Sequence, residues 1–169
     1  MILSEEHQMI RDALRSFAQE RLAPQAARWD REHHFPKDEL KELAALGAFG
    51  VAVPEEYGGA GLDYVALAVV LEEIAAGDGG ISTIISVNNC PVCSIAMMYA
   101  SEEQKQRWLR PLAQGELLGA FALTEPHTGS DAAALRTTAT RDGDDYVING
   151  AKQFITSGKH GDVAIVMAV

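Results

Sequence analysis

The chain has 169 residues, of which 47% are hydrophobic and 22% are charged, a balance typical of a folded globular domain. Its 24 acidic and 14 basic residues give a formal net charge of −10. Because phosphate neutralisation needs clustered lysine and arginine, this charge argues against nucleic acid and against an anionic membrane surface as partners. Two cysteines do not make a disulfide framework, so we expect a reducing compartment, the cytoplasm.

Residues 1–115 predict an N-terminal all-α helical bundle. Ser4, Asp63 and Ser101 are N-cap residue types that stand just before apolar stripes at helical spacing. Pro36 marks a further helix start, and glycine-rich breaks separate the stripes.

An uncharged stretch, residues 79–100, is long enough to cross a bilayer. It contains the adjacent amides Asn88 and Asn89 together with Pro91, and such groups are costly in hydrocarbon when they lack partners. We therefore predict a helix buried within the bundle and no membrane association.

Residues 116–169 differ in texture and predict the beginning of an antiparallel β-domain, so that the fold class is α+β. Two segments rich in β-formers flank Asp142 and Gly143, a pair typical of a hairpin turn. The chain ends inside an apolar run, which indicates a fragment of a longer protein. Outside the hairpin, strands are expected over residues 121–124, 153–156 and 163–167.

Cys90 and Cys93 form a C-x-x-C pair, an arrangement found in redox couples and in zinc sites. The redox motif follows a strand in thioredoxin-like folds, whereas helical patterns flank this pair on both sides. A zinc site would need two further ligands, and the histidines of the chain stand at no matching spacing. We therefore predict structural cysteines and no metal site.

A strand followed by a polar loop, residues 121–131, is the first candidate for chemistry. It combines an aromatic residue, a strand-end hydroxyl and a Gly-Ser turn whose backbone amides can face an anion. Residues 154–158 supply another aromatic residue and another hydroxyl. Two such strand ends could hold a planar heteroaromatic ring and hydrogen-bond its polar edge. Strand-end threonine is also common in ordinary turns, so the pattern alone leaves both interpretations open.

Several longer blocks carry more information. They are V-P-E-E-Y-G-G-A-G at 53–61, L-E-E-I at 71–74, E-Q-K-Q-R-W-L at 103–109, L-T-E-P-x-x-G-S-D at 123–131 and N-G-x-K-x-F-I-T at 149–156. In this order they strongly resemble the acyl-CoA dehydrogenase family, over nearly the whole chain. The resemblance implies the N-terminal helical domain (1–115) and the beginning of the middle β-domain (116–169) of that family.

Smaller features refine this resemblance. The run at 86–89, S-V-N-N, is similar to the short-chain branch of the family. Two positions depart from the family pattern. Thr128 stands where a smaller residue is usual, which predicts a displaced loop, and Phe154 stands where Trp is frequent, which keeps an aromatic face but loses an N–H donor.

The resemblance implies FAD as cofactor and desaturation of an acyl-CoA thioester between its α and β carbons, with hydride transfer to flavin N5. It also implies electron-transfer flavoprotein as electron acceptor and a homotetramer. The family's catalytic glutamate lies in its C-terminal domain, so no catalytic residue is expected in this chain and Glu125 is not the base. The implied cofactor-binding residues are Phe121, Leu123, Thr124, Gly129, Ser130, Phe154, Ile155 and Thr156. The implied substrate-binding residues are Ser130, Ile84, Val87, Asn88 and Pro91.

Two alternatives stay open. A related acyl-CoA oxidase or nitroalkane-type flavin oxidase would carry the same blocks and would release peroxide with oxygen as acceptor. A non-enzymatic helical interaction module would keep the resemblance without binding FAD. In either of the flavoenzyme cases the fragment itself is expected to be inactive, because it lacks the catalytic base.

Overall fold

The structure, a computed structural model, describes residues 3–169, and its N-terminal region is the all-α bundle that the sequence predicts. Five continuous helices build this region, and π-helical turns interrupt three of them. Their parts are α1 (Glu5–Phe17), a π-helical segment (Ala18–Leu22), α2 (Ala23–Glu32), α3 (Lys37–Ala45), a 3₁₀ turn (Glu55–Tyr57), α4 (Tyr64–Gly77), α5 (Gly79–Val87), a second π-helical segment (Asn88–Cys93), α6 (Ser94–Tyr99), α7 (Glu102–Gln104), a third π-helical segment (Lys105–Leu109) and α8 (Arg110–Ala113).

The helix starts follow from N-cap side chains. The hydroxyls of Ser4 and Ser101 each accept a hydrogen bond from the backbone N–H three residues further on, at 3.1 and 3.2 Å. Asp63 and Asp78 do the same with their carboxylates, both at 2.8 Å. Each cap satisfies one of the backbone donors that a helix start leaves free. The predicted starts at Ser4, Asp63 and Ser101 are confirmed.

The core of the bundle lies between α1, α4 and α5, where the apolar stripes of these helices meet. By length and composition the helix Gly79–Tyr99 is one that could cross a membrane. In the structure five of its apolar residues are buried in the protein, whereas Met98 and Tyr99 at its C-terminal end are exposed. The buried apolar residues of this helix are Ile81, Ile84, Ile85, Val92 and Cys93.

An ion pair ties α1 to α4 beside this core. Arg15 donates two hydrogen bonds to the carboxylate of Glu73, at 2.9 and 2.6 Å. The Glu73 side chain is 7% exposed, whereas half of the Arg15 side chain remains in solvent. The bidentate geometry holds the carboxylate in place although little water reaches it.

The β region follows the last helix. It consists of β1 (Gly119–Ala122), β2 (Thr138–Asp142), β3 (Asp145–Asn149) and β4 (Val163–Val166). β2 and β3 form the predicted antiparallel hairpin, and Gly143 adopts the positive φ of 64° that its turn requires. The α+β class is therefore confirmed.

Two expectations about this region are wrong. β1 and β4 pair in parallel, with Gly119 opposite Val163, and not as neighbours in an antiparallel meander. The segment between them is long enough for a crossover, and a strand's sequence pattern contains no information on its direction. Residues 153–156 are not a strand, because Phe154 adopts a φ of 58° that is incompatible with an extended ladder.

Candidate functional site

The two segments that the sequence predicts to form a site lie side by side. After β1 ends, Leu123 and Thr124 run against the loop that contains Lys152 and Gln153. The backbone N–H of Gln153 donates to the carbonyl of Thr124 at 2.9 Å, and the Lys152 ammonium donates to the carbonyl of Leu123 at 3.0 Å. The structure therefore joins a strand end to a loop, where the sequence predicts two strand ends.

Phe154 is the most conspicuous side chain of this loop. It is 85% exposed, and its φ of 58° is rare for a bulky residue. Strained backbone of this kind persists only where surrounding contacts enforce it, and it concentrates at functional sites. Ile155 and Thr156 follow and are partly exposed, as are Phe121 and Thr124 on the neighbouring segment. An exposed aromatic face therefore stands next to partly exposed hydroxyl groups.

A buried hydroxyl lies directly after these residues. The Oγ of Ser157 is inaccessible and has no hydrogen-bond partner within residues 3–169. Its backbone is also in the left-handed region, with a φ of 62°. A buried hydroxyl without a partner costs about 1–3 kcal/mol, so this position has capacity for one more polar contact.

The turn after Thr124 closes on itself. Glu125 and Thr128 exchange two backbone hydrogen bonds, at 2.8 and 3.1 Å. The Thr128 hydroxyl donates to the carbonyl of Asp131, so the loop uses the hydroxyl at this departure from the family pattern internally. A Cβ on Gly129 would lie 3.6 Å from the Thr124 side chain, so these two residues are neighbours. Ser130 is exposed at the tip of the turn.

Glu125 is the buried acidic residue of this turn. Its carboxylate accepts hydrogen bonds from the backbone N–H groups of Arg136 and Thr137, at 2.8 and 2.9 Å, and from Lys152 Nζ at 2.9 Å. The side chain of Thr137 beside it, the Lys152 ammonium and these backbone N–H groups hold the pKa of Glu125 well below its usual range. A carboxylate so occupied is unsuited to accept a proton from a substrate.

Asn88 is buried and bonded to three distant parts of the chain. Its side chain is 0% exposed, and its implied role at the acyl pocket stays a prediction. The Asn88 amide donates to the carbonyls of Phe49 and Leu112, at 3.0 and 3.1 Å, and its oxygen accepts from Gly119 N at 3.0 Å. Asn88 thus connects an inter-helix loop, the last helix and the first residue of β1.

Asn89 forms a second amide connection beside it. Its oxygen accepts from the backbone N–H of Val51 at 2.9 Å, and its amide donates to the carbonyls of Ala48 and Ile85, at 2.8 and 2.9 Å. We refer to Asn88 and Asn89 with these backbone partners as the amide knot. These hydrogen bonds provide partners inside the protein for the side-chain amides of Asn88 and Asn89, the two polar residues that would be costly in a membrane.

The other implied substrate-binding residues lie on the same helix in different surroundings. Ile84 lines a cavity of about 570 Å³ together with Trp29, His33 and Pro36. Val87 packs against a second cluster of buried apolar residues, which includes Val92, Leu109 and Leu112. Pro91 is partly buried within the π-helical segment Asn88–Cys93. Their role in substrate binding stays a prediction.

Of the two cysteines of the C-x-x-C pair, Cys93 is a buried structural residue, as the sequence predicts. Cys90 and Cys93 are both free thiols, and Cys93 is fully buried. Burial, with a smaller contribution from Cys90, raises the pKa of Cys93 to about 12. The thiol therefore stays protonated and unreactive at neutral pH.

Sequence reasoning missed Lys152 as a residue of the site, although it lies inside the block at 149–156. The available signal was a single charged residue within an otherwise uncharged block. The side chain of Lys152 is only 12% exposed, and lysine is seldom buried to that extent unless it is paired.

Comparison with known proteins identifies the class. The sequence model of the acyl-CoA dehydrogenase N-terminal domain matches residues 4–116, and that of the acyl-CoA dehydrogenase middle domain matches residues 120–169. The chain therefore belongs to the acyl-CoA dehydrogenase family, as the sequence blocks predict.

Individual relatives sharpen this assignment. Human mitochondrial short-chain specific acyl-CoA dehydrogenase is 45% identical over 166 residues, which are 98% of this chain and 40% of the relative. A glutaryl-CoA dehydrogenase from Mycobacterium smegmatis, solved in complex with FADH2, matches 98% of the chain with a TM-score of 0.93 and 38% identity, over 43% of its own length. A chain from the electron transferring flavoprotein structure of Acidaminococcus fermentans matches 99% with a TM-score of 0.94 and 40% identity, over 44% of its own length. The chain thus spans about two-fifths of its relatives.

Proposed function

We propose that this chain is the N-terminal part of an FAD-dependent acyl-CoA dehydrogenase, which desaturates an acyl-CoA thioester between its α and β carbons. The observation that carries this proposal is the exposed, strained Phe154 on a loop that is hydrogen-bonded to Thr124. The identity to a short-chain specific relative supports a short acyl chain.

The residues on the two joined segments fit FAD. The exposed face of Phe154 suits a planar ring, since aromatic faces stack on such systems. The hydroxyls of Thr124 and Thr156, both on partly exposed residues, can hydrogen-bond a polar ring edge. When bound, FAD supplies the acceptor for the hydride that leaves the β carbon. The residues proposed to hold the ring are Phe121, Leu123, Thr124, Phe154, Ile155 and Thr156, with Gly129 and Ser130 at the pyrophosphate.

In this proposal the chain binds and orients, and it does not supply the base. Glu125, the acidic residue nearest to Thr124, is occupied by three N–H donors and its pKa is lowered. The proton acceptor, and the walls that complete the pocket, would come from the remainder of the full-length protein. We expect Ile84, Val87 and Pro91 to contribute to the acyl side and Ser130 to the CoA side.

The proposed electron acceptor is an electron-transfer flavoprotein. The similarity of this chain to one in the electron transferring flavoprotein structure from Acidaminococcus fermentans supports this proposal. A homotetramer and a cytoplasmic location are part of the same proposal, taken from the family resemblance and from cysteine usage.

The test uses the full-length protein. We expect it to purify with, or to bind, FAD and to bleach at the flavin absorption maximum when butyryl-CoA is added without oxygen. Peroxide formation in air at the rate of turnover would instead favour an oxidase. Failure to bind FAD would contradict the proposal and favour a non-enzymatic helical module.

A substitution addresses Thr156. Thr156→Val keeps the shape of the side chain but removes its hydroxyl, and with it the proposed hydrogen bond to FAD, worth about 0.5–1.5 kcal/mol. We expect FAD affinity or the rate of flavin reduction to fall by up to about tenfold. Thr140→Val, which makes the same change on the exposed hairpin strand β2, is the matched control. Unchanged affinity and reduction rate in Thr156→Val would remove Thr156 from the site.

A further inference from the structure

Lys152 contacts the residues on both sides of Thr124. Its ammonium donates to the carbonyl of Leu123 at 3.0 Å and to Oε1 of Glu125 at 2.9 Å. The next residue, Gln153, donates its backbone N–H to the carbonyl of Thr124 itself, at 2.9 Å. Residues 152 and 153 thus bond three consecutive residues of the neighbouring segment. Phe154 and Thr156 follow directly, so their location depends on these contacts.

Glu125 makes this connection rigid from the other side. Its side chain is 2% exposed, and both of its oxygens accept hydrogen bonds only from N–H donors. Oε1 accepts from Thr137 N and Lys152 Nζ, and Oε2 accepts from Arg136 N. His127 Nε2 also lies near Oε2, at 3.5 Å. A shift of the Glu125 carboxylate would leave one or more of the three donors without its acceptor, and such dependence lets a buried pair specify geometry.

We propose that Lys152 and Glu125 are a pair of positioning residues that set the distance and orientation between the segment of Thr124 and the loop of Phe154 and Thr156. The proposal rests on the proposed FAD site, because it concerns the two segments that would hold the ring. Neither side chain of the pair is assigned a contact with FAD or with substrate. Their effect is transmitted through the backbone of the residues that make those contacts.

Chemistry fixes which substitutions are informative. Lys152→Met keeps the length of the side chain but removes all donors, which leaves the Leu123 carbonyl without its partner and Oε1 of Glu125 without its ammonium donor. His127, whose Nε2 lies 3.5 Å from Oε2 of Glu125, then remains as the other basic side chain beside this carboxylate. Lys152→Arg keeps the charge and offers two donors in a fork, so it can contact both acceptors again. A return of function in the arginine variant would therefore depend on the contacts and not on side-chain volume.

The experiment measures bound FAD in the full-length protein. We expect Lys152→Met to weaken FAD affinity by at least about tenfold and to change the visible absorption envelope of the flavin, with Lys152→Arg close to wild type in both. Because the proposal gives Lys152 no contact with the substrate, kcat should fall while the KM for butyryl-CoA stays within about twofold. A misplacement of the reacting groups acts on turnover in this way.

Arg15→Met is the matched control. It also removes the cation from an ion pair with a largely buried carboxylate, that of Glu73, but in the helical bundle. A role limited to stability predicts that both methionine variants lower Tm and leave the flavin spectrum unchanged. The positioning role predicts a spectral change and weaker FAD binding for Lys152→Met alone.

The outcomes separate the two proposals. A wild-type protein that binds no FAD overturns the proposed function and this inference with it. A wild-type protein that binds FAD, with a Lys152→Met variant of equal affinity and spectrum, overturns only the positioning role. If Lys152→Met does not fold, Glu125→Asp replaces it, since the shorter carboxylate cannot reach Lys152 and both backbone amides together. An unchanged flavin spectrum and affinity in Glu125→Asp would then overturn the inference.

Discussion

The helical bundle and the β region both contain a buried polar network, but they build it from different groups. The bundle uses the amide knot, in which Asn88 and Asn89 are neutral and bond to backbone groups, with one further contact from the Asn88 amide to the Cys93 sulfur at 3.7 Å. The β region uses an ion pair, Glu125 and Lys152. Neutral amides do not titrate, whereas a carboxylate does, so these two networks should respond differently to pH, although the bundle also contains the Arg15–Glu73 ion pair beside its core.

The two regions also differ in how completely they bury their apolar residues. In the bundle, the largest core residues are almost entirely shielded from solvent. On the β2–β3 hairpin, Tyr146, Val147 and Ile148 are each more than half exposed. Helices bury their apolar stripes by packing against the helices next to them in the chain. A two-stranded hairpin needs a further layer of structure to cover its apolar face.

The largest effect is expected from breaking the amide knot. Asn88→Ala would leave two carbonyls and the N–H of Gly119 without partners at a position with no access to water. We expect the free energy of unfolding to fall by about 3 kcal/mol or more, measured by urea denaturation. Asn149→Ala, at an exposed asparagine on β3, is the control and should change stability little. Equal stability of the two variants would contradict the role of Asn88.

A smaller effect, confined to low pH, is expected at Glu125. Its pKa in the folded protein lies below the ordinary value of 4.5, so the unfolded chain binds the proton more tightly. The stabilisation is therefore present above about pH 4.5 and is lost as the pH falls below it.

Glu125→Gln tests this difference between the networks. The amide nitrogen of glutamine would face an N–H donor in either orientation, so stability at neutral pH should fall by less than in Asn88→Ala. The loss of stability on acidification should become shallower than in wild type, whereas Asn88→Ala should retain the wild-type acid dependence. Urea midpoints measured between neutral pH and about pH 3 decide this, and parallel curves for all three proteins would count against the assignment.

The smallest expected effect concerns the thiol in the bundle core. Because the pKa of Cys93 is raised to about 12 and the residue is buried, it should not react with iodoacetamide at pH 8 in the folded protein. Mass spectrometry of native and urea-unfolded samples measures this, with alkylation of Cys93 expected only after unfolding. Labelling of Cys93 in native protein at the unfolded rate would indicate that this part of the core opens readily.

Local chemistry made much of the fold predictable. Ser4, Asp63 and Ser101 cap helices where their positions before apolar stripes indicate, because a cap needs only nearby backbone donors. The turn at Gly143 was predictable for the same reason. The family blocks, read in order, identified the family, which the domain matches confirm.

The remaining features depend on partners far away in the chain. The parallel direction of β4 is set by its pairing with β1, and no local pattern encodes it. The strained backbone of Phe154 depends on hydrogen bonds from residues 152 and 153 to the Thr124 segment. A β-forming composition at 153–156 could therefore not reveal that the chain turns there.

The π-helical segment Asn88–Cys93 has a consequence for alignments among relatives. One extra residue in a helical turn advances the rest of the helix by about 100° relative to a regular α-helix. A relative that lacks a single residue here would present a different side of the following helix, α6, to the third π-helical segment, which α6 contacts in this structure. If an alignment of such sequences has a one-residue gap between positions 88 and 93, residues that are identical after the gap would therefore contact different parts of the two proteins.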